Sequence, residues 1–359
     1  MTHAAPTAAR PSRTPRLHIG HHFFGSGNLG DDLMLAGFLQ AVGPGVGLTC
    51  CSACDVESQR RRFPQVRWLP YSMEAREAAV RECDAWVGVG DTPFQLSVGP
   101  WFLEHLRGEL DFCRRAGKPM YFVGVGVSET DALRDERGRA VLDYASRVWA
   151  RDAWSADALS AACDPVKVRL GADLAHAYFH HHPPPRPPEP DVVGYVLNFE
   201  DPSQFTREAL CAAVAATPPA VRQRWLVQEV RTLSGSEMEL WETLPDACRR
   251  RLELRKPNYS NDAMGDLLAS WGAPGRVLSS RYHGSLIGAW AGAGVVAIER
   301  SGKMKGLVSE LDIRSLPALH DAAAVHAALD AAAPVPMTLL HALAARAAAG
   351  CAELLGEVG

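Results

Sequence analysis

The stretch Leu278-Ser279-Ser280-Arg281-Tyr282-His283-Gly284-Ser285-Leu286-Ile287-Gly288-Ala289-Trp290 decides how the chain is read. It predicts a strand end, a tight turn and a helix start. Arg281 and His283 stand two residues apart, just before Gly284 and Ser285. A helix N-terminus presents unpaired N–H groups and a partial positive charge. Arg281 adds a bidentate grip on phosphate or carboxylate. The stretch therefore reads as a site for a small dianion.

Outward from it, strands alternate with helices. In the second half, strands are expected at 192–198, 224–230, 276–280 and 294–299. Helices are expected at 206–216, 237–250, 261–271, 285–291 and 303–311, then an alanine-rich helical tail from 320 to 355. In the first half, strands are expected at 17–24, 47–51, 85–89, 119–126 and 147–150. Helices are expected at 31–42, 73–82, 101–116, 137–146 and 155–162. The alternation predicts an α/β fold of two doubly wound, Rossmann-like domains facing a cleft. The boundary falls at Pro183-Pro184-Pro185-Arg186-Pro187-Pro188-Glu189-Pro190, which cannot continue a helix or a central strand. The expected domains are thus 16–182 and 191–359, with 183–190 a proline-rich linker and 1–15 a disordered tail.

The chain has 359 residues, a length that suits two such domains, and a net charge of −4. That charge gives no reason to expect nucleic acid. No apolar run reaches the roughly 18 residues of a membrane span. The nine cysteines are an odd count without repeated spacing, which predicts a reducing, cytoplasmic setting. Cys51 and Cys54 form a CxxC, but no second pair follows at zinc spacing, so buried thiols are expected and no metal. His180-His181-His182 beside the prolines is expected to be solvated.

Gly25-Ser26-Gly27-Asn28-Leu29-Gly30 matches GxGxxG between a strand and a helix, with Asp55 downstream, the context of a dinucleotide site. Asp31 and Asp32 would compete with a bound pyrophosphate there. The alternatives are a helix cap with a glycine turn, or a polar functional site. Lys303 and Lys305 follow the next strand beyond Arg281, beside Glu299 and Arg300. They read as a solvated charged face, or one lysine completes the anion site. Arg151-Asp152 ends a first-half strand, and Asp173 sits in Gly171-Ala172-Asp173-Leu174; each is either structural or placed to orient a hydroxylated substrate.

Taken together these elements resemble the polysaccharide pyruvyl transferase family. The resemblance rests on Asn28-x-Gly30-Asp31, Gly124-Val125-Gly126, Arg151-Asp152, Asp173, Arg281-Tyr282-His283-Gly284 and Lys303, and spans about residues 17 to 315. Gly88-Val89-Gly90-Asp91 lacks an expected third glycine, residues 229–242 depart from the usual acidic pattern, and Glu299-Arg300 replaces a polar or aromatic pair. The resemblance implies a glycosyltransferase-B-like enzyme with no cofactor. It would transfer pyruvate from phosphoenolpyruvate, its co-substrate, to two hydroxyls of a sugar or small hydroxylated acceptor as a ketal. Arg281, Gly284, Ser285 and Lys303 would bind the donor, and Asn28, Gly30, Arg151 and Asp173 the acceptor side. His283 would be the general acid or a phosphate ligand, and Asp31 the base. A sugar-nucleotide glycosyltransferase or epimerase, and a non-catalytic binding protein, are the competing readings.

Overall fold

The computed structural model describes residues 14–97, 99–183, 187–199, 202–260 and 263–359. The expected tail lies outside the described residues except for Thr14 and Pro15, as do Pro184, Pro185 and Arg186 of the linker. Thirteen strands are assigned among the described residues: β1 (Arg16–Ile19), β2 (Gly47–Ser52), β3 (Val66–Pro70), β4 (Ala85–Val89), β5 (Met120–Val125), β6 (Arg147–Ala150), β7 (Val168–Leu170), β8 (Glu189–Val196), β9 (Arg222–Leu226), β10 (Glu253–Arg255), β11 (Pro274–Ser279), β12 (Gly294–Ile298) and β13 (Arg314–Leu316). They form two sheets, ordered β3-β2-β1-β4-β5-β6-β7 and β10-β9-β8-β11-β12-β13. All named strand pairs are parallel. Each order contains the doubly wound 3-2-1-4-5-6 pattern, which reverses between β1 and β4 and between β8 and β11. The fold is two parallel α/β halves of the glycosyltransferase-B kind.

The central strands are buried on both faces, as Ala-Trp-Val-Gly-Val and Met-Tyr-Phe-Val-Gly-Val require. Boundaries differ from expectation where the sequence carries a local reason. The first strand stops at Ile19; Gly20 N–H still donates to Val87 O at 3.0 Å, and the turn follows at Phe24 and Gly25. The helix expected over 237–250 is two, Glu237–Thr243 and Asp246–Arg249, divided at Pro245. The strand at the linker starts at Glu189, so the connection is shorter than expected. Strands β3, β7, β10 and β13 and the helices Val56–Arg62 and Ala175–His181 have no counterpart in the sequence reading.

The tail also differs. It contains Ala322–Asp330, which packs on the second half, and Met337–Val358, which returns to the first. The latter packs against the helices Leu29–Val42 and Ala175–His181 and against β5. It is long and apolar enough by length and composition to cross a membrane, unlike the expectation from apolar runs. In the fold, Leu340, Leu343, Ala347 and Leu354 bury one face, while Trp149 Nε1 donates to Glu353 at 2.8 Å and Arg147 pairs with Glu357 at 2.6 Å. The helix Leu29–Val42 is covered nearly all round as a result. Leu340→Ala should therefore lower unfolding free energy by about 2–5 kcal/mol in urea denaturation, the usual cost of a buried leucine. A change under 0.5 kcal/mol would show that the helix does not belong to the core.

Candidate active site

The strand ends of the two halves face each other across a seam. The glycine-rich loop after β1 is stitched to the segment after β9. Leu29 N–H donates to Gln228 O at 3.0 Å, Val230 N–H to Gly27 O at 2.9 Å, and Gln228 Nε2 to Asn28 Oδ1 at 3.1 Å. Asn28 Oδ1 also accepts from Gly30 N–H at 3.0 Å, so Asn28 is the helix cap that was expected of Asp31 or Asp32. Asp32 is fully buried and instead accepts from Gly25 N–H at 2.6 Å. The N–H groups of Gly25, Leu29 and Gly30 are thus already occupied, which weighs against the dinucleotide reading of GxGxxG.

Gly30 meets His283 across the seam. A Cβ at residue 30 would lie 2.3 Å from His283 Nδ1. The other ring nitrogen, Nε2, is 3.3 Å from the Asp173 carboxylate. Asp173 is fully buried, 3.6 Å from Arg151 Nη1, and accepts from Ala175 N–H at 3.0 Å. Burial opposes its ionisation, but His283, Arg151 and that N–H outweigh burial and hold its pKa at about 2, below the ordinary 3.8. The Arg151 guanidinium lies 3.8 Å over the Tyr282 ring. Arg151 and Asp173 from the first half thus close on Tyr282 and His283 from the second. Arg151 Nη2, Asp173 Oδ2 and His283 Nε2 are shielded atoms without a well-aligned hydrogen bond among the described residues. Ser285 serves the turn, its hydroxyl donating to Arg281 O at 3.0 Å. Gly284 packs on β8, where a Cβ would lie 2.7 Å from Val196.

In front of this layer lies a cavity of about 670 Å³, within the usual range for small-molecule sites. Of the expected residues, Asn28, Asp31, Arg281 and Lys303 line it; Gly30, Arg151, Asp173, His283, Gly284 and Ser285 do not. Its two walls carry opposite charge. From the second half come Arg281, Arg300 and Lys303. With its amide oxygen turned toward the guanidiniums, Asn198 accepts from Arg281 Nη1 at 2.9 Å and Arg300 Nη2 at 3.2 Å. Arg300 Nε donates to Ser280 O at 3.0 Å. Arg281 Nε lies 3.2 Å from the fully buried Glu237 carboxylate. The helices Tyr282–Trp290 and Gly302–Leu311 both begin here without a side-chain cap, adding N-terminal partial charge.

The opposing wall carries Asp31, Asp91 and Glu229. Burial, then Asp91, Glu229 and Asp32, push the Asp31 pKa well above the carboxylate range, against a smaller opposing pull from Arg281. Asp91 holds φ at 65°, a left-handed conformation that costs a non-glycine residue roughly 1–2 kcal/mol. Glu229 is buried and gripped by Arg231 at 2.7 and 2.9 Å. Phe23 and the half-exposed Trp101 complete the mouth. Asn198, Arg300, Asp91 and Glu229 are site residues that the sequence did not single out. Their one common signal is position, each following the C-terminal end of a strand. Among the described residues no cluster of histidine, cysteine and carboxylates is arranged to hold a metal.

Asp173→Asn should cost up to about 3 kcal/mol at pH 7, the lower end for a broken buried pair, because Arg151 loses one of two buried carboxylates and keeps Asp152 at 3.3 Å. The folded pKa of Asp173 lies below its ordinary value, so its contribution is present above pH 4 and is lost as pH falls toward 2. Urea denaturation at stepped pH should show the gap between wild type and variant narrowing below pH 4. A gap independent of pH would exclude the pairing.

Comparison with known proteins agrees with the two-domain fold. The structure resembles Alr3699/HepE of Anabaena in complex with UDP-glucose, at 13% identity, TM-score 0.59 and 95% coverage of each chain. It resembles a putative UDP-N-acetylglucosamine 2-epimerase of Listeria monocytogenes at 11% identity and TM-score 0.61, over 97% of this chain and 98% of that one. CalG4, the calicheamicin glycosyltransferase, matches at 13% identity and TM-score 0.50, over 97% and 100%. At such identities the likeness is one of fold. No curated protein matches by sequence. Residues 28–261 match the polysaccharide pyruvyl transferase family, and the chain belongs to that family.

Proposed function

We propose that the protein transfers pyruvate from phosphoenolpyruvate to two hydroxyls of a sugar or related acceptor, forming a ketal. One observation carries the reading: a single cavity sets Arg281, Arg300 and Lys303, beside an Arg231 already paired with Glu229, against a carboxyl that is poised to hold a proton, Asp31. Phosphoenolpyruvate bears a phosphate and a carboxylate, and arginine forks, a lysine and two helix N-termini suit that pair of anions. The acceptor hydroxyls then approach from the acidic wall.

The reaction adds a proton to C3 of the enol, making a methyl group, and one acceptor oxygen to C2. The C2–O bond to phosphate breaks, and the second acceptor oxygen takes its place. Two hydroxyl protons are released overall; one balances the proton on C3 and the other leaves with phosphate. Asp31 is the residue we assign to proton transfer. Its raised pKa lets it give a proton to C3 and recover one from a hydroxyl, so it serves beyond the base expected of it. His283, expected as acid or phosphate ligand, has Nδ1 against Gly30 and Nε2 toward Asp173. We assign it to positioning: it braces the Gly30–Asp31 turn against the donor helix. The donor is a cytoplasmic metabolite, and we place the enzyme in that compartment.

The test is incubation with phosphoenolpyruvate and a panel of saccharides, scoring phosphate release and a pyruvyl mass gain. Asp31→Asn should lower kcat by about 10²–10⁴-fold with little change in KM for phosphoenolpyruvate. Arg281→Gln should chiefly raise that KM. Alr3699/HepE is in complex with UDP-glucose, so thermal shift with UDP-glucose is the control. Stabilisation by UDP-glucose and none by phosphoenolpyruvate would overturn the donor assignment.

A further inference from the structure

Trp154 stands at the start of the helix Ala153–Ala162 in the first half and keeps 40% of its surface exposed. Its indole nevertheless reaches across the seam to the helix Gly302–Leu311 of the second half. A Cβ on Gly302 would lie 2.5, 2.6 and 2.7 Å from the indole Nε1, Cε2 and Cζ2, so the ring takes the place of a side chain there. Four residues on, a Cβ on Gly306 would lie 2.9 Å from Asp152 Oδ1 and 3.2 Å from Trp154 Cβ. Asp152 is itself fully buried and fixed. Its Oδ1 accepts from Ser155 N–H at 2.7 Å, and its Oδ2 lies 3.3 Å from Arg151 Nε. Residues 302 and 306 share one face of their helix, and that face is seated on Asp152 and Trp154.

The same turn carries part of the cationic wall. Ser301 is the N-cap of the helix, yet its hydroxyl makes no cap bond. The first turn therefore lacks the side-chain bond that commonly fixes a helix start. Lys303 follows Gly302 at about 100° around the helix axis. It lines the main cavity, and Trp154 does not. How the Gly302 face is held thus sets where Lys303 and the helix N-terminus point. We propose that Trp154 is a positioning residue of the anion site. From the first half it seats the first turn of the helix Gly302–Leu311 and so tunes the affinity of the second half for a phosphate-bearing ligand. That the ligand is phosphoenolpyruvate rests on the transfer reading above; the positioning asks only that the cavity bind a phosphate group.

The test is calorimetric titration of phosphoenolpyruvate, UDP-glucose and inorganic phosphate into wild type, Trp154→Ala, Trp154→Phe, Gly302→Ala and the variant carrying both alanines, with melting temperatures alongside. For whichever compound binds wild type, Trp154→Ala should raise Kd about ten-fold, since small misplacements of a binding group are costly. Trp154→Phe should recover most of that loss. Gly302→Ala drives its Cβ into the indole and should also raise Kd, but adding it to Trp154→Ala should change Kd by less than about two-fold, because the ring it displaces is gone. A Kd unchanged in Trp154→Ala, even with a lowered melting temperature, would mark the indole as packing alone and overturn the proposal. Additive effects of the two alanines would overturn it as well. Binding of UDP-glucose or phosphate but not phosphoenolpyruvate, with the same pattern across variants, sinks the donor assignment and leaves the positioning standing. Phosphoenolpyruvate binding that ignores Trp154 does the reverse, and no binding of any of the three overturns both.

Discussion

The site depends on how closely Gly30 approaches His283. The imidazole occupies the space a side chain at residue 30 would take. Because that space is shared, the loop after β1 and the helix after β11 cannot be placed independently. The backbone bonds between Gly27, Leu29, Gln228 and Val230 then set the loop's direction, and Asp31 follows as the next residue facing the cavity. The ionised Asp173 fixes the other side of the same ring. A glycine, an imidazole and a buried carboxylate thus bring the acidic wall and the cationic wall into one cavity.

The charge separation has a cost that the surroundings carry. Burial, with the nearby charges of Asp91 and Glu229, pushes the pKa of Asp31 well above the carboxylate range. Arg231, which shares the cavity lining, neutralises Glu229, and the buried Glu237 does the same for Arg281. The strained backbone of Asp91 fits the same pattern, since such conformations persist where the fold over-determines them.

Much of this was legible in the chain. Alternating apolar strands and amphipathic helices identified two doubly wound halves, and the turn glycines placed Asn28 and Arg281 at strand ends. The shortest strands, β7, β10 and β13, have three residues each, too few to show a period. Asn198, Asp91 and Glu229 stand at strand ends as single polar residues, with no motif of their own to mark them. Arg300 was visible only as part of a charged run. His283 was legible as a site residue, but which way its ring faces depends on the opposite half. Residues 229–242 read as a departure from the family pattern. They nonetheless supply Glu229 to the acidic wall and Glu237 behind the cationic one, because pairing across the seam has no local signature.

The returning C-terminal helix sets an order of events during synthesis. Met337–Val358 covers the helix Leu29–Val42 and part of β5, yet it is made after the whole of the second sheet. Domains commonly fold in order as they leave the ribosome. Here the first half emerges without the layer that closes its core, and it waits through the whole of the second half for that layer. A nascent chain stalled before residue 337 would carry an uncovered apolar face, where chaperones and proteases act. Quality control of this protein therefore waits on the 22 residues of that helix before the first domain is finished.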